Sequence, residues 1–128
     1  MAKKQYAFYP GCSSQLKASA ANYLTSVQSM CRTLEIELNE IPDWNCCSAS
    51  VGYCEGGELP RLAINARNVA QAETHLAGQP IVATCAACWL SARETKDRLD
   101  ASSELMRETN EALAAAGLHY KGEVAVKH

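Results

Sequence analysis

The sequence predicts an α/β fold: a short, mostly parallel sheet flanked by helices, in one domain over residues 1–128. Three observations predict it. Strand-like and helix-like apolar periodicities alternate along the chain. Pro and Gly punctuate the changes between them. The chain has 128 residues, 48% of them apolar and 20% charged, a composition ordinary for a globular domain, and at this size about two-thirds of the unfolded surface is buried on folding. No internal repeat, low-complexity tract or linker divides the series.

The first element is the aromatic strand Gln5 to Tyr9, stopped by Pro10-Gly11. A helix follows from Ala20 to Leu34, with Tyr23, Leu24, Val27, Met30, Cys31 and Leu34 forming an apolar stripe at helical spacing. Glu35 to Ile41 alternates charge with Ile36, Leu38 and Ile41 as a strand does, and Pro42 ends it. A loop from Asp43 to about Glu58 carries Gly52, Gly56 and Gly57. Pro60 suits the first turn of the next helix, whose buried side is Leu62, Ala66, Val69 and Ala70, and which Gly78 and Pro80 close. Ile81 to Thr84 reads as a compact buried strand. Helices then run from Ala87 to Leu99 and from Ser103 to Ala116, with Gly117 as the stop, and Glu123 to His128 reads as a last strand. A chain that ends in mid-strand suits the first part of a longer polypeptide.

In a parallel sheet of this order, Cys12 follows the first strand, Cys46 and Cys47 follow the second, and Cys85 ends the third. All three places lie at the carboxyl edge, where open α/β sheets bind ligands. Seven cysteines, an odd number, do not suit a secreted disulfide framework. The start, Met1-Ala2-Lys3-Lys4-Gln5, has no apolar stretch of signal length, and no segment approaches the roughly 20 apolar residues of a bilayer span. The expectation is a cytoplasmic protein, where clustered thiols mean metal or redox chemistry. A formal net charge of −2 gives no reason to expect nucleic acid or an anionic membrane as partner.

Cys12, the doublet Cys46-Cys47 and the C-A-A-C pair Cys85 and Cys88 together offer five sulfurs, more than one tetrahedral zinc uses. Thiolates are the usual ligands of iron–sulfur clusters. The C-A-A-C alone fits a redox dithiol, half a zinc site or part of a cluster. Placed at a helix N-terminus, it favours thiolates and an anionic group. Adjacent sulfurs such as Cys46 and Cys47 do not easily fill two corners of one relaxed tetrahedron, but they can bind different irons. Gly11 lets the backbone come close to a bulky ligand. Three readings follow: an iron–sulfur redox module, a structural zinc-binding interaction domain without redox activity, and a dithiol oxidoreductase using Cys85 and Cys88. Cys31 reads as a core residue and Cys54 as a loop thiol near the site. His75, His119 and His128 read as surface residues. Trp44 and Trp89 are placed to wall the site from water, and Ser13, Asn45, Ser48 and Ser50 are candidate hydrogen-bond donors to sulfur. No paired-carboxylate, Ser-His-Asp or phosphate-loop signature is present.

The runs Y-P-G-C at Tyr9 to Cys12, D-W-N-C-C at Asp43 to Cys47, A-R-N at Ala66 to Asn68 and C-A-A-C at Cys85 to Cys88 resemble the cysteine-rich CCG domain family, and most nearly the N-terminal half of the heterodisulfide reductase chains of type B. The resemblance covers essentially the whole chain. It implies a non-cubane [4Fe–4S] cluster held by Cys12, Cys46, Cys47, Cys85 and Cys88. It also implies electron transfer from other iron–sulfur or flavin subunits of a multi-subunit redox complex, and reduction of a disulfide substrate whose sulfurs meet cluster iron. Some relatives carry zinc instead. Two departures stand out. Ser48 replaces the glycine that gives the motif its name, and a serine is strained wherever the backbone needs φ > 0. The chain also has one such motif where full-length relatives have two, so cleavage of a disulfide between two clusters would need a second domain or partner.

Overall fold

The computed structural model describes residues 3–15, 17–49 and 57–128. Among these, four strands form one sheet and four α-helices surround it. In chain order the elements are β1 (Lys4–Tyr9), α1 (Ala21–Thr33), β2 (Ile36–Glu40), α2 (Glu58–His75), β3 (Ile81–Ala83), α3 (Ala86–Ala101), α4 (Ser103–Ala114) and β4 (Val126–Lys127), with a single 3-10 turn at Cys12–Ser14. The sheet order is β2-β1-β3-β4 and every pairing is parallel. The α/β expectation is met.

β1 is central. It pairs with β2 from Lys4↔Ile36 to Phe8↔Glu40, and with β3 from Ala7↔Ile81 to Tyr9↔Ala83. Alternation along the strands sorts side chains between the two faces. Ala7, Tyr9, Ile81, Ala83 and Val126 turn toward α2, α3 and α4 and build the main core with Leu62, Ala66, Val69, Leu99 and Leu113. The buried side of α2 is thus the one its sequence pattern marks. Arg98 of α3 grips Glu58 at the start of α2, at 2.5 Å and 2.9 Å.

Two elements differ from expectation. The last strand reaches only Val126–Lys127 rather than Glu123 to His128. Its partner β3 has three residues, so the ladder is limited to Ile81↔Val126 and Val82↔Lys127. The preceding backbone turns instead around Glu73, whose carboxylate accepts the N–H groups of Lys121, Gly122 and Glu123. The apolar stripe of α1 is also not a buried stripe. Cys31 is buried, as read from its position, but Tyr23, Met30 and Leu34 are half exposed or more. α1 lies over the other sheet face, and a groove of about 390 Å³ remains there among Tyr6, Phe8, Met30, Leu38 and Val82.

Candidate metal–sulfur site

The carboxyl ends of the strands bring the cysteines together. β1 ends at Tyr9, and Gly11 takes φ 78°, a left-handed conformation open to glycine, before the turn at Cys12. A Cβ on Gly11 would stand 3.0 Å from Cys88 Sγ and 3.7 Å from Cys85 Cβ. The close neighbours at Gly11 are thus the side chains of the C-A-A-C pair, where the sequence suggested room for a bulky ligand. β2 ends at Glu40, and buried Ile41 carries the pairing one step further through its N–H to the Phe8 carbonyl. Beyond it, the D-W-N-C-C run passes across the middle of α2, where Ile64, Asn65, Arg67 and Asn68 meet it. Cys85 is the N-cap of α3, and Cys88 lies in the first turn of that helix.

The sulfurs meet in two sets. Cys46 Sγ lies 3.7 Å from Cys12 Sγ, and both residues are exposed. Cys47 and Cys88 are buried and hydrogen-bonded to one another, and Cys85, half-buried, neighbours Cys88. Donation from Cys88, backed by the Ala49 N–H and by Ser91, draws the Cys47 thiol down against the effect of burial. The Cys88 thiol is pushed up, first by that same bond and then by burial. At Cys46 the Ser48 N–H favours the thiolate, at 3.4 Å, but burial and the adjoining Cys12 outweigh it and the thiol is pushed up. Burial, with the neighbouring sulfurs, raises the Tyr9 phenol well above its usual range.

A group held by these sulfurs would find a fitting shell. Five thiols suit a polynuclear metal–sulfur group. Ser48 keeps φ 54°, so serine does stand where the backbone is left-handed. Its hydroxyl is buried and without a hydrogen-bond partner among the described residues, while its N–H points at Cys46 Sγ, 3.4 Å away. Among the described residues, no three carboxylate, imidazole or thiol groups converge as the shell of a single ion.

Other expected residues take definite places. Trp44 packs edge-on against Tyr9, with centroids 5.5 Å apart, and its Nε1 donates to Glu40 at 2.8 Å. Trp89 sets its ring against exposed His128, 6.2 Å between centroids. The Asn45 carboxamide turns to the Cys46 and Ile64 carbonyls and to Arg67. Ser13 is half-buried beside Cys12. Ser50 and Cys54 lie outside the described residues.

The sequence reading gave no role to the residues that hold this loop, although Arg67 and Asn68 stand in the A-R-N run of the resemblance. Asn65 donates to the Cys47 carbonyl at 3.2 Å, and Asn68 exchanges two hydrogen bonds with the Asn45 backbone. Arg67 binds the Asp43 carbonyl at 2.6 Å and also pairs with the Asp43 carboxylate. Ser91, buried one turn beyond Cys88, bonds to Cys47. Asn65 and Asn68 share the buried side of α2 with Leu62 and Val69, and an asparagine at a core-facing position was the available signal.

Residues 6–92 match the cysteine-rich domain family, CCG. The chain is 35% identical over 120 residues to the 8-methylmenaquinol:fumarate reductase membrane anchor subunit of Wolinella succinogenes, a match covering 94% of this chain and 40% of that protein. It is 26% identical over 132 residues to a protein of Archaeoglobus profundus that is itself named for its likeness to the B-type chain of heterodisulfide reductase, covering 97% of this chain and 40% of that one. The chain thus spans 40% of the length of these curated relatives. Among solved structures, a hypothetical protein from Helicobacter pylori shares the fold, with a TM-score of 0.78 and 19% identity over 96% of this chain and 24% of its own. Among the described residues, no helix is long and apolar enough to cross a membrane. All five site cysteines fall inside the matched residues, and the chain belongs to the CCG cysteine-rich domain family.

Proposed function

We propose that Cys12, Cys46, Cys47, Cys85 and Cys88 hold a [4Fe–4S] cluster of the non-cubane type, and that the chain is an electron-transfer and disulfide-reducing module of a multi-subunit redox complex. The observation that carries this reading is the gathering of thiols from three separate stretches of chain at one sheet edge, with Cys12 and Cys46 in sulfur contact and Cys47 beside Cys88. The relatives' names support it: one is a subunit of a fumarate reductase and the other is named after heterodisulfide reductase.

When bound, the cluster supplies one-electron reduction and iron that accepts a substrate sulfur. The chain's own residues do the rest. Cys47 and Cys88 form the buried back of the site, while Cys12 and Cys46 form the side that solvent and a disulfide can reach. The Ser48 N–H, the Ala49 N–H and Ser91 direct hydrogen bonds at sulfur, and such bonds tune the potential of a metal–sulfur centre. Tyr9 and Trp44 pack together on one flank and keep water from it.

Metal and sulfide analysis of anaerobically purified protein tests the reading. The expected result is about four irons and four acid-labile sulfides per chain. One zinc without sulfide would overturn it in favour of the structural zinc domain. Replacing Cys12 with serine should lower iron loading; a dithiol oxidoreductase acting through Cys85 and Cys88 would keep its activity in that variant.

A further inference from the structure

Asn68 is buried at 4% exposure near the middle of α2. Its Oδ1 accepts the Asn45 N–H at 2.8 Å, and its Nδ2 donates to the Asn45 carbonyl at 2.8 Å. The Tyr9 hydroxyl donates to the same carbonyl at 2.7 Å. Beyond Cys46, Asn65 holds the Cys47 carbonyl. The backbone is therefore gripped on both sides of Cys46. The two neighbouring sulfurs part company there, one toward Cys12 and the other toward Cys88. A buried carboxamide on a helix gives up apolar packing, and here its hydrogen bonds to the loop go to a single residue.

We propose that Asn68, with Tyr9 behind it, is a positioning residue for the doublet, fixing the peptide groups of Asn45 so that Cys46 and Cys47 present their sulfurs in two directions; the inference rests on the cluster reading above. Asn68 touches no sulfur in this role. It acts through the Asn45 backbone, as the outer partners that orient metal ligands do.

The molecule contains its own control. Asn110 on α4 makes the same two-point hold on Tyr120, accepting its N–H at 2.7 Å and donating to its carbonyl at 3.2 Å. That hold serves the segment after α4 and, among the described residues, involves no cysteine. Asn68→Ala and Asn110→Ala therefore remove equivalent hydrogen bonds, and both should lower the thermal midpoint.

Only Asn68→Ala should loosen the metal. Iron release to a chelator from anaerobically loaded protein is expected to rise about 10- to 100-fold, the usual range for an outer-shell partner, with no change in Asn110→Ala. Asn68→Ser, a milder change that also loses the two-point hold, should raise release in the same direction, and it decides the question if Asn68→Ala fails to fold. Iodoacetamide labelling of metal-free chains, followed by mass spectrometry, should show altered rates at Cys46 and Cys47 in Asn68→Ala and wild-type rates in Asn110→Ala. Equal behaviour of the two asparagine variants in release and labelling would overturn the inference. A wild-type chain that takes up no iron or sulfide would overturn the cluster reading alone, and the labelling comparison would still decide the role of Asn68.

Discussion

At Ser48 two costs fall on one residue. A non-glycine side chain in the left-handed region is disfavoured by about 1–2 kcal/mol, and its hydroxyl is buried without a partner among the described residues. Both costs vanish in Ser48→Gly. The metal-free variant should be more stable than the parent by about 1–2 kcal/mol, read from urea denaturation of the two chains side by side. An unchanged or lower stability would mean that Ser48 gains something in the metal-free fold that offsets both. The cysteines at this site were legible from sequence because thiols at strand ends have few other uses. Asn65, Asn68 and Ser91 were not. A polar residue on a helix reads first as solvated; the loop lying over α2 turns Asn65 and Asn68 inward, and Ser91 is buried on α3 beside the Cys47–Cys88 pair.

The elements divide in the same way. β1, α1, β2, α2, β3, α3 and α4 lie within a few residues of where periodicity and Pro or Gly punctuation put them, because those signals are local. The length of β4 is set by how much of β3 is free to pair, a non-local quantity. The stripe on α1 shows a second limit: it records where apolar side chains lie along a helix but not what covers them. Met30 stands 54% exposed. Met30→Lys should therefore alter the stability of this chain by no more than about 0.5 kcal/mol, as surface changes do. A core methionine would lose about 2–5 kcal/mol on truncation alone. Thermal melts of parent and variant distinguish the two cases.

On the scale of the whole molecule, the site depends on the sheet. Its sulfurs follow β1, follow β2 and open α3 after β3, so no one segment can form it. A metal centre assembled from such distant parts binds the folded chain and not the unfolded one, and its binding free energy becomes folding free energy. Stripping the proposed cluster anaerobically with a chelator should lower the thermal midpoint, by about 4 °C for each kcal/mol of lost linkage in a domain near this size. Reconstitution with iron and sulfide should restore it. A midpoint that ignores the metal would show that the thiols are held in place by packing alone.

The contrast between outward Cys12 and Cys46 and enclosed Cys47 and Cys88 also fixes how the protein would age in air. Peroxide or a small disulfide arriving from solution meets the two outward sulfurs first, already at 3.7 Å from each other. They are placed to join as a cystine that added thiol can reopen. The enclosed sulfurs are sheltered from the further, irreversible oxidation that ends in sulfinic and sulfonic acids. Early damage would thus be repairable, with the half of the site that cannot be mended from outside the last to be reached.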